Sequence, residues 1–208
     1  MPHQETQPVL RLASSVPNQD DGILWAQFKS GDQEALATIY RLHIQALYNY
    51  GLKVCADTVL VEDSIQELFI YLWHSRENLG ATNNIKYYLF KALRRKLVTG
   101  LENEARNNQK QGDFAAGQPE TDLSPEMQLV AAEMHTDQQE QMQRALLTLT
   151  KRQREAIYLR FYDNLSFQEI ADIMGLTVKS TYTLISRALE VLREYMQILI
   201  ITFYLLLT

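Results

Sequence analysis

Cys55 is the chain's one cysteine. A disulfide within the chain is therefore excluded, and so is any cysteine-based zinc site. His3, His43, His74 and His135 are scattered and show no ligand spacing, so no metal centre is expected. Eight glycines and five prolines are few for 208 residues, and β-rich runs are hard to find. The expectation is an all-α protein. No carboxylate pair, metal cluster or phosphate-cradling glycine loop marks catalytic chemistry, so neither an enzyme nor a cofactor is expected. The N-terminus, MPHQETQPVLRLASSVPNQD, lacks an apolar core of signal-peptide length. The protein is expected to work in a reducing cytoplasm.

Hydrophobic residues make up 46% of the chain, enough for a globular protein with one large or two small domains. The net charge of −5 argues against a protein that simply coats DNA. Its distribution says more. Residues 1–82 sum to −5, residues 83–111 to +5, residues 112–142 to −7 and residues 143–208 to +2. Two positive segments are thus separated by an acidic one. Phosphates repel the acidic parts and attract the basic ones.

The stretch LSFQEIADIMGLTVKSTYTLISRALEVL, residues 165–192, predicts two short helices joined at a glycine. Ser166 and Glu169 have capping-box spacing. Ile170, Ala171, Ile173 and Met174 give the first helix an apolar face. Gly175 can enter the left-handed conformation that stops it. Thr177 caps a second helix whose inward set is Val178, Thr181, Ile185, Ala188 and Leu189. Its other side carries Lys179, Ser180, Tyr182, Thr183, Ser186 and Arg187, donors and stacking groups suited to phosphates and base edges. This is the pattern of a helix-turn-helix, with nucleic acid as the leading partner. Any compact helical domain also needs helix, turn and helix; the caps, small residue and glycine at these offsets separate the two readings.

Upstream, residues 1–20 read as a mobile arm, with helical periodicity starting near Gly22. Ala35, Leu36, Ile39, Leu42, His43, Ala46, Leu47, Tyr50 and Val54 repeat at helical steps. A turn at Ala56-Asp57 leads to a helix with Val61, Ile65, Leu68, Phe69 and Leu72 inward. That helix has a second face, Asp63, Gln66, Glu67 and Ile70, with Trp73 one step further. An apolar anchor ringed by charge suits a partner surface; an ordinary acidic face with Trp73 in the core fits equally well. A third helix begins near Ile85. Lys86, Lys91, Arg94, Arg95 and Lys96 lie on or near its outer side with Tyr87 and Phe90. Cations with interleaved aromatics suit unpaired nucleic acid, and a solvated basic helix with core tyrosines is the competing reading. The preceding loop, Leu79 to Asn84, has side chains able to hydrogen-bond an extruded base. Residues 103–123 are polar and form a linker, and Ser124-Pro125-Glu126 starts a further helix.

In these segments the chain resembles the bacterial RNA polymerase sigma factors of the extracytoplasmic-function (ECF) type, over about residues 22 to 195. GDQEALATIYRLHIQALYNYG is similar to the opening helices of sigma region 2, and VEDSIQELFIYLW to its polymerase-binding helix. IKYYLFKALRRKL is similar to the helix that meets the promoter's minus-ten element. The segment from Leu147 to Arg193 resembles region 4, which reads the minus-thirty-five element. The sequence departs from the common pattern at Arg95, Thr99 and Glu102, where many members carry Asn, Asp and Arg. These positions bear on the preferred minus-ten sequence. Thr150 replaces a usual proline and can itself cap a helix.

The resemblance implies two small helical domains, a region 2 bundle (21–102) and a region 4 helix-turn-helix (124–195), joined by the acidic linker. It implies a sigma factor that binds core polymerase through Asp63, Gln66, Glu67, Ile70 and Trp73. Lys86, Tyr87, Phe90, Lys91, Arg94, Arg95 and Lys96 would face the minus-ten DNA. Lys179, Ser180, Tyr182, Thr183, Ser186 and Arg187 would enter the minus-thirty-five major groove, with Arg152 and Arg154 near the upstream backbone. The linker, 112–123, would lie in the RNA-exit path. A membrane-linked anti-sigma factor is a further implied partner. The alternatives are a helix-turn-helix regulator acting without polymerase and an interaction protein that has lost DNA reading.

MQILIITFYLLLT, residues 196–208, continues the last helix and is apolar on all sides. It is shorter than the roughly 20 residues a bilayer span needs. It is expected to be buried within the chain or against an anti-sigma partner rather than resting on a membrane surface. Packed on the recognition helix it would be self-inhibitory, and deleting residues 197–208 without changing promoter affinity would remove that idea.

Overall fold

The computed structural model describes residues 19–110 and 145–206, with side chains placed for 20–106 and 145–195. Every regular element among them is helical. Helix α1 spans Gln19–Lys29 and so begins ahead of Gly22; Asp20 and Asp21 occupy its first turn, next to the positive end of the helix dipole. Trp25 and Phe28 are buried and pack ring against ring, centroids 5.1 Å apart. Gly31, with φ +97°, turns the chain into α2 (Gln33–Val54). Asp32 caps α2 by accepting from the N–H groups of Glu34 and Ala35. Asp57 does the same for α3 (Thr58–Ser75), accepting from Leu60. A short 3₁₀ turn, Arg76–Asn78, precedes the loop into α4 (Ile85–Lys110).

The α3 inward set of Val61, Ile65, Leu68, Phe69 and Leu72 is buried as its periodicity predicts. On α2, Ala35, Ile39, Leu47 and Tyr50 are buried, but Leu42 is 65% exposed. At about 100° per residue it sits about 60° round from Ile39, at the rim of the buried stripe. Helix α4 continues to Lys110, through residues expected to open the linker. Glu102, Glu104, Ala105 and Arg106 are good helix formers and sustain it. The rest of the linker, the N-terminal arm before Gln19 and the helix start at Ser124 lie outside the described residues.

Among the described residues the second unit begins with helical residues 145–147 and a turn through Leu149. Thr150 and Gln153 then form a capping box for α5 (Lys151–Ile157). That helix widens into a π-helical turn, Tyr158–Tyr162. Helices α6 (Phe167–Met174) and α7 (Val178–Leu206) follow. The two units are in contact, α2 and α4 of the first lying against α5 and α6 of the second. Tyr50 is central to that seam. It meets Phe90 edge-on at 4.7 Å and stacks toward Tyr158 at 6.4 Å. No described helix is long and apolar enough to cross a membrane.

Candidate nucleic-acid interface

The helix-turn-helix forms from its own sequence signals. Ser166 Oγ accepts from the Glu169 N–H at 3.2 Å, while Glu169 Oε2 accepts from the Ser166 N–H at 2.8 Å. Gly175 ends α6 at φ +64°, the left-handed region that favours glycine. The Leu176 N–H then closes on the Ala171 carbonyl at 2.8 Å. Thr177 Oγ1 caps α7 by accepting from the Ser180 N–H at 3.1 Å. Thr181, Ile185 and Ala188 anchor α7 in the core. Leu189, read as inward, is 42% exposed; Ala188 already occupies the close contact, and its neighbour falls on the flank.

Lys179, Ser180, Tyr182, Thr183, Ser186 and Arg187 are all exposed. They form the open side of α7. The Thr183 hydroxyl is turned back onto the Lys179 carbonyl at 3.1 Å. Tyr182 is held in a stack: its ring lies 3.8 Å from that of Phe167, and Arg160 of the preceding π-helical turn sits 4.9 Å over Phe167. Neither Phe167 nor Arg160 stood out in the sequence, because nothing in periodicity says which aromatic a neighbouring helix will meet. Arg152 is exposed and Arg154 half-buried, both on α5.

On α3, Asp63, Gln66, Glu67 and Ile70 are exposed, and Ile70 is 58% open to solvent. Tyr71 lies exposed beside them. Trp73 is different. It is half-buried against the core, with the Arg76 guanidinium 4.5 Å over its ring. The acidic-plus-apolar face therefore ends at Ile70 and Tyr71, with Trp73 at its border.

The basic helix departs most from expectation. Phe90, read as outward, is 1% exposed and belongs to the core. At α4's register it lies between Leu89 and Leu93, and Tyr50 closes over it. The neighbouring cations meet carboxylates of the second unit. Lys86 Nζ lies 2.5 Å from Asp163 Oδ1. Lys91 Nζ donates to Asp172 Oδ2 at 2.6 Å, and the Tyr87 hydroxyl donates to the same oxygen. Arg94 Nε donates to Glu155 Oε1 at 2.7 Å, an oxygen that also accepts from the Tyr50 hydroxyl at 2.8 Å. Lys96 instead reaches Glu67 within the first unit, at 2.9 Å. Arg95 is exposed and has no ion-pair partner among the described residues.

Burial and pairing act in opposite senses on these acids. Asp172 is held below the ordinary carboxylate value by the hydrogen bonds from Lys91 and Tyr87. Asp163 is pushed up by burial, which outweighs Lys86, and its Oδ2 is buried without a hydrogen-bond partner among the described residues. Burial, then the adjacent Glu155 charge, raises the Tyr50 hydroxyl well above its usual value.

Leu79 to Asn84 borders an open cleft of about 690 Å³ lined by Gly22, Trp25, Lys29 and Thr82 among others. Trp25 Nε1 donates to the Gly80 carbonyl at 2.9 Å, and Lys29 donates to that of Leu79. These bonds tie the loop to α1, a role for Trp25 and Lys29 that spacing does not disclose. The side chains of the apolar tail, 196–208, lie outside the described residues; the backbone of α7 runs through Leu206. Among the described residues no cluster of His, Cys, Asp and Glu could hold a metal ion.

Residues 39–107 match the family model described as Sigma-70 region 2, and residues 139–192 match that of Sigma-70, region 4. The chain is 24% identical over 179 residues to the ECF RNA polymerase sigma factor SigW of Bacillus subtilis, covering 82% of this chain and 94% of that one. It is 22% identical over 170 residues to the ECF RNA polymerase sigma factor SigK of Mycobacterium tuberculosis, covering 80% and 88%. Among solved structures it is similar to the sigma factor RpoE in complex with the anti-sigma factor NepR from Bartonella quintana. That likeness has a TM-score of 0.56 and 25% identity and covers 76% of this chain and 94% of that one. CnrH, solved with the cytosolic domain of CnrY, shares the fold at a TM-score of 0.56 and 23% identity, covering 85% and 97%.

Proposed function

This chain belongs to the sigma-70 family, in its extracytoplasmic-function branch, and from that premise we propose how its surfaces divide the work of starting transcription. The chain binds core RNA polymerase and directs it to promoters, region 2 at the minus-ten element and region 4 at the minus-thirty-five element. One observation supports this above the others. A capped recognition helix with its polar row wholly exposed shares a chain with a region 2 whose α3 presents acids around an exposed isoleucine.

Asp63, Gln66, Glu67 and Ile70 form the polymerase-docking face, with Trp73 buttressing it from the border. Carboxylates around an apolar anchor give orientation as well as contact area. Lys179, Ser180, Tyr182, Thr183, Ser186 and Arg187 contact bases and phosphates in the major groove, and Arg152 and Arg154 hold the upstream backbone. Lys86, Tyr87, Lys91, Arg94, Arg95 and Lys96 serve the minus-ten element; buried Phe90 supports that helix from within. The cleft under Leu79–Asn84 accommodates an unstacked base. Two modest DNA contacts carried on one polymerase reinforce each other, because the scaffold fixes the effective concentration of the second. Polymerization itself is the partner enzyme's chemistry. An anti-sigma protein, as RpoE has in NepR, is proposed as the second partner, and the cytoplasm as the site of action.

Run-off transcription with purified core polymerase over a promoter library tests the proposal. Sequence-specific initiation that depends on the added chain is expected. Promoter binding that is equally tight without polymerase, and no initiation with it, would favour a helix-turn-helix regulator instead.

A further inference from the structure

We propose that the free chain masks its own minus-ten surface, with the acidic flank of region 4 standing in for promoter phosphates. This deepens the sigma-factor reading and rests on it. Asn84, Tyr87, Lys91 and Arg94 follow one another at three- and four-residue steps, so they form a single stripe along the start of α4. Each meets a carboxylate of the other unit. Asn84 Nδ2 donates to Glu169 Oε1 at 2.5 Å, Tyr87 and Lys91 share Asp172, and Arg94 takes Glu155. Lys86 adds Asp163 beside the stripe. The stripe is about 15 Å long at 1.5 Å per residue. Its three acids fall about one per 5 Å, sparser than the phosphates of one DNA strand, which rise about 3.4 Å each, but of the same charge and along the same line.

The contacts are graded from centre to rim. The Arg94 and Glu155 side chains are 16% and 6% exposed, and Glu155 is tied to Tyr50 as well. Lys91 and Asp172 are half open to solvent at the edge, where salt screens them. A duplex cannot reach this side of α4 while α5 and α6 cover it. Engagement of minus-ten DNA thus requires the two units to separate, and the exposed α3 face leaves polymerase free to bind first. The apparent DNA affinity of the free chain is reduced by the fraction of molecules that are open.

The test uses the full chain and the variants Glu155→Gln, Asp172→Asn and Tyr50→Phe, none of which alters a proposed DNA or polymerase contact. A fluorescent single-stranded minus-ten oligonucleotide reports binding, small-angle scattering reports separation of the units, and circular dichroism confirms folding. Glu190→Gln and Glu194→Gln on the exposed side of α7 are charge controls. With a closed form in about tenfold excess, Glu155→Gln with Asp172→Asn should bind the oligonucleotide about tenfold more tightly and show a larger radius of gyration. Tyr50→Phe should give a smaller shift in the same direction, and the controls none. The wild type should lose affinity with salt less steeply than the open variant, since salt also loosens the clasp. Unchanged affinity and radius, or an equal gain in the charge controls, would overturn the proposal. Failure of the sigma reading would appear separately, as absent initiation by every variant with core polymerase while the scattering change persists.

Discussion

Gly51→Ala should destabilise region 2, although alanine is the better helix former. Gly51 is buried near the end of α2, where α3 crosses it. A Cβ built there would lie 2.6 Å from Val61 Cγ1 and 3.2 Å from Cγ2. Val61 is fully buried, and a β-branched side chain in a helix keeps essentially one rotamer. It cannot turn away, so the helices must part. Overpacking of this kind costs about 1–3 kcal/mol, and replacing a helical glycine by alanine returns at most about 1 kcal/mol. With both Val61 methyls in conflict the upper part of that range applies, leaving a net loss of about 1–2 kcal/mol. Urea denaturation of the full chain, followed by far-ultraviolet circular dichroism, measures it. Adding Val61→Ala should relieve the clash, so the double variant should lose less than the sum of the singles by about 1 kcal/mol or more. Gly100→Ala is the internal contrast: its nearest neighbour is the Leu60 Cδ1 tip at 3.1 Å. That flexible end can give, and Gly100→Ala should be neutral or stabilising. A Gly51→Ala variant as stable as the wild type would refute the close helix crossing. Because α3 carries the docking face, the same variant should also weaken association with core polymerase.

Replacing both Asp63 and Glu67 with alanine should weaken core-polymerase binding by about 2 kcal/mol, about thirtyfold, in a pull-down or fluorescence titration. Stability should hardly change, since Glu67 meets Lys96 from the solvent side, its own side chain 68% exposed. Lys179→Ala with Arg187→Ala should reduce minus-thirty-five binding by a similar factor and flatten the salt dependence by about 1.8 in slope, read from anisotropy titrations across salt concentrations. The clasp should also respond to acid. Asp172 has a lowered folded-state pKa, so its contribution is complete above the ordinary value of 3.8 and is lost as pH falls through the lowered one. Asp163 has the opposite sign: burial raises its pKa, so protonation on acidification favours the folded form. Asp172→Asn should therefore flatten the acid limb of the pH–stability curve; an unchanged limb would show that the Lys91 and Tyr87 contacts are not formed in solution.

Local signals in the chain were sufficient wherever a single segment could satisfy itself. Ser166, Glu169, Gly175 and Thr177 act on backbone groups three or four residues away, so the helix-turn-helix is legible without any partner. The same holds for the exposed row from Lys179 to Arg187 and for the inward stripe of α3, both set by helical period. Leu42, Leu189 and Trp73 sit at the edges of their stripes, where period cannot say how far a neighbouring helix extends.

The fate of the basic helix was decided elsewhere. Its cations were visible as a cluster, but their partners Glu155, Asp163 and Asp172 lie about 60 to 80 positions away, where acids look like ordinary solvated surface. Ion pairing depends on distance in space, and a sequence records only distance along the chain. Amino-acid order alone thus determined the helices, their caps and the two kinds of charged surface. Only the packing of α5 and α6 against α2 and α4 decided which cations are open and which are clasped.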